Sequence, residues 1–326
     1  MLSFLLRRLI QAFFVLLTIS FVSFWVQGNL GDPVQQMVGQ SVSLEQREVI
    51  RQQLGLNDPV LEQYGRFLWR ALHGDLGISY YYKMPTLSVI FSKLPATLEL
   101  SFCALLLVIL IATPCGVISA IHPRHLVSRF ILFVSTLGLS VPIFIVGILL
   151  VYFFAIEWRW LPSFGRGETV ELFGFWRSGL VTSDGIAHLI LPSISLSIVL
   201  IPMFVRLIRA EMLDVLQSDY VRFAWSKGLS ARRIYFVHAL KNTMLPVITI
   251  GGIQAGTLVA YTILTETIFQ WPGMGRLFME SVTRVDTPLI SAYLIVVGLG
   301  FVITNTLVDL IYSFVNPRVR IPGYGV

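Results

Sequence analysis

Six apolar runs divide the chain, at Leu9–Val26, 96–121, 130–156, 187–209, 246–269 and 289–314. Each is about the 20 residues that a roughly 30 Å hydrocarbon core requires. Runs of that length leave few folds open, because a segment in lipid must satisfy its own backbone polar groups. Each is therefore predicted to be a membrane helix, and the fold class is an all-α membrane protein of about six transmembrane helices. Composition agrees: 55% of residues are hydrophobic and only 13% charged, against about 25% charged in a soluble domain. The net charge of +6 does not point to nucleic acid. The basic residues form no single patch and sit mostly in the breaks between runs, where a membrane protein places them.

The first run follows MLSFLLRR. A signal peptide is the competing interpretation, but the run is about long enough to span and no A-x-A site follows it, so residues 1–27 are expected to be a retained helix. Residues 28–95 are too polar for lipid and contain two helical patterns, LEQREVIRQQLGLN and YGRFLWRALHGDLG, each stopping at a glycine. Prolines 114, 142, 192 and 202 interrupt later runs, which a membrane bundle tolerates when neighbouring helices satisfy the freed groups.

Loop charge sets the orientation. Arg7 and Arg8 precede the first run, and Arg124 and Arg129 lie in a loop without acids. Arg206, Arg209, Arg222, Lys227, Arg232, Arg233 and Lys241 outnumber Glu211, Asp214 and Asp219 between runs four and five, and Arg318 and Arg320 mark the tail. On the other side, Arg159, Arg166 and Arg177 are balanced by Glu157, Glu168, Glu171 and Asp184. The positive-inside rule places both termini in the cytoplasm. The expected divisions are a helix over 1–27, a periplasmic segment over 28–95, a membrane core over 96–314 with a cytoplasmic loop at 211–245, and a cytoplasmic tail over 315–326.

Cys103 and Cys115 share one run. Their separation is about 18 Å along a helix, too far for a disulfide. His73, His122, His125, His188 and His238 are scattered, and no metal site is expected.

Glu211–Pro246 is the most informative cytoplasmic stretch. A helix is predicted to run to Lys227 and stop at Gly228, with Leu229 as the apolar residue beyond a Schellman cap. Ser230 is then expected to cap a second helix. Tyr220, Phe223, Trp225, Ile234 and Phe236 are predicted to be exposed, so the hairpin either docks on a partner or packs beneath its own bundle. DYVRFAWSKGLSARRIYFVHALKNTMLPVI resembles the EAA-type coupling loop of ABC importer permeases, in its dipeptide/oligopeptide/nickel version. GDLGIS (74–79), LPATLEL (94–100), LSVPIF (139–144), LTETIFQWPGMGRL (264–277) and DLIYSFVNPRVR (309–320) extend the resemblance over most of the chain. It implies a B-type subunit with a type I (MetI-like) importer permease fold.

The resemblance also implies what surrounds the chain. The partners are a second homologous permease, two cytoplasmic ATPase subunits that hold ATP and Mg, a substrate-binding protein and membrane lipid; the chain itself needs no cofactor. Its setting is the bacterial inner membrane. Cargo is a peptide, with glutathione, nickel chelate or haem as alternatives. Asp219, Arg222, Ala224, Gly228, Leu229, Arg232, Arg233 and His238 are implied to couple to the ATPase. Arg222 stands where the family has an acid, and Lys241 where it has a proline, with Leu245-Pro246 displaced; Asp219, one turn earlier, can substitute for the missing acid.

The chain has no G-x-x-x-x-G-K-[ST], H-E-x-x-H or G-x-S-x-G and is not expected to be an enzyme. In run five, Gly252, Gly256 and Ala260 form a small-residue stripe suited to close helix contact. Gln254, Thr257 and Tyr261 lie on another face, and either line a cavity or hydrogen-bond neighbouring helices. Glu266 and Asp309 are acids near helix ends, open to ion binding or to helix-end pairing. An ion-coupled secondary transporter would want midplane charges and a repeated half, and neither is evident. A membrane scaffold would leave the coupling-type loop unexplained.

Overall fold

The computed structural model describes residues 2–29, 34, 43–53, 55–174 and 176–315. Nearly all of the tail assigned to 315–326 lies outside that range, as do the side chains of Arg7, Arg8, Ala260 and Asp309. Helix α1 (Leu2–Asn29) is followed by α2 (Leu44–Gln53) and α3 (Val60–Leu72). Next come α4 (Thr86–Ile121), α5 (Leu126–Ser140) and α6 (Ile143–Leu150), the last continued by wider π-type turns over Val151–Glu157. An antiparallel hairpin pairs β1 (Val170–Phe173) with β2 (Trp176–Ser178). The chain closes with α7 (Ser183–Ser197), α8 (Ile201–Leu216), α9 (Asp219–Ser226), α10 (Ala231–Arg233), α11 (Leu240–Ile268), α12 (Met274–Thr283) and α13 (Thr287–Val315).

Four stretches of helix are long and apolar enough to span on their own: Ile10–Asn29, Thr86–Ile121, Ala231–Leu258 and Thr287–Val308. The count reaches six if two bent pairs, α5 with α6 (104°) and α7 with α8 (58°), are each one span. The sharper bend has a local cause. Pro142 has no N–H to donate and pushes Val141 into extended backbone (φ −92°, ψ 122°), so no helix passes through that point. Pro202, by contrast, sits in the first turn of α8, where a missing donor is harmless. Pro85 precedes α4 at its N-cap, so the second membrane helix starts at Thr86 and the boundary drawn at residue 95 falls inside it.

Helix α4 lies at the centre. Ala96, Leu100, Ala104, Val108 and Ala112 recur every four residues and are buried, forming one stripe that packs in a common cluster with Phe204, Val205, Ile208 and Met212 of α8. Helix α1 lies along α13, where Ser291 donates to the Ser23 carbonyl at 3.0 Å. Helix α11 also meets α13: a side chain added at Gly252 would strike Val308, and one at Gly256 would strike Phe301. The small-residue stripe therefore does what its spacing predicts, letting two backbones approach closely.

Candidate coupling surface and translocation face

The loop between α8 and α11 is a folded helical hairpin. Helix α9 ends in a Schellman motif: the Leu229 N–H donates to the Ala224 carbonyl (3.3 Å) and the Gly228 N–H to the Trp225 carbonyl (2.9 Å). Gly228 has φ +77°, the left-handed conformation a C′ glycine supplies without strain. Ser230 occupies the next N-cap position with extended backbone, but its side chain makes no capping bond, a departure from the expected cap. Helix α10 then runs through π-type turns at Ile234–Ala239 directly into α11.

The two sides of the hairpin differ. Val221, Ala224 and Ile234 are buried together, with Leu229, Val215 and Leu216 packed against them. Ile234 is thus corrected from the exposed set: it sits across the hairpin from Val221 and fills the seam. Ala224 is buried in the same seam, and Leu229 is half-buried against it. On the other side Tyr220, Phe223, Trp225 and Phe236 are exposed, ringed by exposed Arg222, Arg232 and Arg233. The Lys227 ammonium lies 4.5 Å from the Phe223 ring. Asp219 meets Arg222 at 3.6 Å, with both side chains in solvent, so this pair contributes little. His238 is half-buried, and its carbonyl accepts from Asn242, which also reaches the Tyr220 hydroxyl at 2.8 Å.

At the opposite end of α11, Glu266 is buried. Its carboxylate accepts from the Thr97 hydroxyl (2.6 Å) and from the Arg276 N–H (2.9 Å), while Thr97 accepts from the Met274 N–H (2.7 Å). Two side chains thus satisfy the first-turn donors of α12 that a helix start leaves open, and Glu266 serves as a helix-end partner. Trp271 is buried and donates to the Ala96 carbonyl at 2.9 Å, which fastens LTETIFQWPGMGRL onto LPATLEL. Two further acids, missed by inspection of the sequence, complete this end. Glu99 pairs with Arg166 at 2.6 Å. Asp286 accepts from Ser79 and from the Tyr80 and Tyr81 N–H groups at 3.1 and 3.2 Å, pinning the end of GDLGIS.

Between these ends, Gln254 and Thr257 are half-buried and Tyr261 is exposed. Thr257 donates back to the Ile253 carbonyl (3.4 Å). Among the described residues, none of the three hydrogen-bonds a neighbouring helix. No cluster of three or more His, Cys, Asp or Glu suited to a metal occurs among the described residues.

A bent-helix bundle with a folded helical hairpin at one end of α11 has the architecture of a type I ABC importer permease. The chain belongs to the family described as binding-protein-dependent transport system inner membrane component, which it matches over residues 112–321, with the family's N-terminal region matched over 1–101. It is 37% identical to the dipeptide transport system permease protein DppB of Escherichia coli K12, over 98% of this chain and 99% of that one. It is 36% identical to the di/tripeptide transport system permease protein DppB of Pseudomonas aeruginosa UCBPP-PA14, with the same coverage. The glutathione transport system permease protein GsiC of Escherichia coli O6:H1 is 33% identical, again over 98% and 99%. The fold resembles a chain of the MetNI methionine ABC transporter in an inward-facing conformation, with a TM-score of 0.56 at 14% identity, over 70% of this chain and 96% of that one.

Proposed function

We propose that this chain is the peptide-importing member of its family: one of two permease subunits, forming half of the path and driven by separate ATPases. The carrying observation is the two-sided hairpin. Its inner side is fixed to α8 by Val221, Ala224 and Ile234, and its outer side leaves Tyr220, Phe223, Trp225, Phe236, Arg222, Arg232 and Arg233 exposed. Such a face suits a groove on a cytoplasmic ATPase, which would hold the ATP and Mg. Because α10 is continuous with α11, closure of two ATPases would be felt along the 29 residues of α11 as far as Glu266.

The cargo is assigned to di- or oligopeptides from the dipeptide permeases that match nearly end to end. Gln254, Thr257 and Tyr261 are assigned to the path as a polar, uncharged lining that lets cargo leave again. Selectivity is assigned to the binding protein, which docks on the end holding Glu99, Glu266 and Asp286. We assign that end to the extracytoplasmic side and both termini to the cytoplasm.

Two measurements test this reading. Cysteines at Gln46 and Ser230 should label from opposite sides of intact cells; outside labelling of Ser230 overturns the orientation. A Cβ added at Gly228 meets nothing within 4 Å, so the cost of Gly228→Val is the left-handed strain of about 1–2 kcal/mol, concentrated at the turn. Membrane insertion should be normal, while co-purification of the ATPases and dipeptide uptake should fall. Unchanged uptake removes the hairpin from coupling.

A further inference from the structure

Helix α3 belongs to a stretch whose sequence reads as extramembrane, yet its contacts place it beside a membrane span. The Tyr64 hydroxyl is 2.8 Å from that of Ser20 and reaches toward the Leu17 carbonyl. The Tyr64 ring packs on Phe21 and Phe24, and Phe67 packs on Phe24. All of these partners lie within the Ile10–Asn29 span. Ser20 is nine residues below Asn29, a descent of about 13.5 Å along a helix, and a hydrocarbon leaflet is about 15 Å thick. The seam between α3 and α1 therefore lies at the depth of a leaflet.

The faces of α3 fit that depth. Glu62, Gln63, Arg66 and Arg70 share one side, and Arg66 pairs with Asp58 at 2.6 Å. Val60, Leu61, Tyr64, Phe67, Leu68 and Leu72 share the other at helical spacing. Tyr64 and Phe67 use up only the part of this side that meets α1. Leu61 and Leu72 extend beyond it and are 81% and 74% exposed. Phe21, which touches Tyr64, is itself 54% exposed, so one apolar surface passes without a break from the flank of α1 onto α3. Trp69, exposed and with its ring 4.4 Å from that of His73, sits near the border between the two sides, as tryptophan does at the edge of a bilayer.

We propose that α3 is an interfacial helix lying in the leaflet on the Asn29 side. Its Leu61–Leu72 face meets acyl chains and its Glu62–Arg70 face meets headgroups and water. Lipid is favoured over a protein partner because the exposed surface continues that of a spanning helix at the same depth. The consequence is an anchor: α3 would hold the loop that follows it, including GDLGIS, at the bilayer surface. The proposal needs α1 to span, and does not depend on the cargo or the ATPase assignment.

The test uses the complete transporter in lipid nanodiscs, with Cys103 and Cys115 replaced by alanine and one nitroxide at position 61, 62, 70 or 72. An unchanged gel-filtration profile and melting temperature confirm that each labelled assembly is intact. Power saturation should give oxygen-over-nickel-chelate accessibility ratios several-fold higher at 61 and 72 than at 62 and 70. Equal, chelate-dominated values at all four positions would place α3 in water. Exclusion of both reagents at 61 and 72 would mean that a protein partner covers them. Either result overturns the proposal, and neither bears on the coupling hairpin.

Discussion

Arg166→Met should release the segment between α6 and α7 from the bundle. Arg166 and Glu99 are only 9% and 2% exposed, with 2.6 Å between their charged atoms. The same guanidinium nitrogen donates to the Arg177 carbonyl at 2.6 Å, and the guanidinium lies 5.9 Å from the Trp271 ring. Glu99 has little else to hold: one oxygen accepts a long bond from the Gly179 N–H (3.3 Å), and the other has no partner among the described residues. Removing the arginine therefore strands a buried carboxylate, a loss of about 3–5 kcal/mol. Removing both charges should cost much less, so Glu99→Gln combined with Arg166→Met should be more stable than the single variants predict by about 2 kcal/mol or more. Trypsin cleavage after Arg177 in the native transporter reports this opening. At about 1.4 kcal/mol per tenfold, cleavage of Arg166→Met should be roughly 100-fold faster or more, with most of the effect reversed in the double variant. A rate within about twofold of wild type, or strictly additive variants, would refute the argument that this pair holds the segment down.

The two sides of the coupling hairpin should separate experimentally. Ile234→Ala empties a fully buried seam and should cost about 2–5 kcal/mol of local stability. Trp225→Ala should leave melting within about 0.5 kcal/mol of wild type while weakening ATPase co-purification. Glu266→Ala leaves Arg276 N–H and Thr97 without their acceptor and should destabilise the α4–α12 junction by about 1–3 kcal/mol, read as faster amide exchange across α12. Gly256→Leu would drive a side chain into Phe301 and should reduce assembled transporter in the membrane, whereas Gln254→Ala should change the rate of dipeptide uptake without changing which peptides enter.

What the sequence discloses here depends on the range of the interaction. The Schellman turn is legible because all of its parts lie between Ala224 and Leu229, and its glycine has one plausible job. The break at Pro142 is equally local. Ile234 misleads because its burial is decided by Val221 on the other arm of the hairpin, and hydropathy along one arm cannot register that. Glu99 and Asp286 are harder still. Their partners lie 67 and 207 residues away, and no spacing rule connects them. One signal was nonetheless available for Glu99, a lone acid within the first turns of an otherwise apolar run, the kind of residue that demands a partner wherever it is buried. Local chemistry thus marks the hairpin end of α11, whereas the far end is held by acids whose meaning appears only once the chain has closed on itself. The hairpin end could therefore be proposed from a motif, while the far end had to be built from contacts: Met274 to Thr97 to Glu266, and Ser79 to Asp286. Helix α11 joins the two, so a substitution at either end should register at the other only if the helix moves as one piece, and Pro246, inside its second turn, is the position at which that continuity is most open to failure.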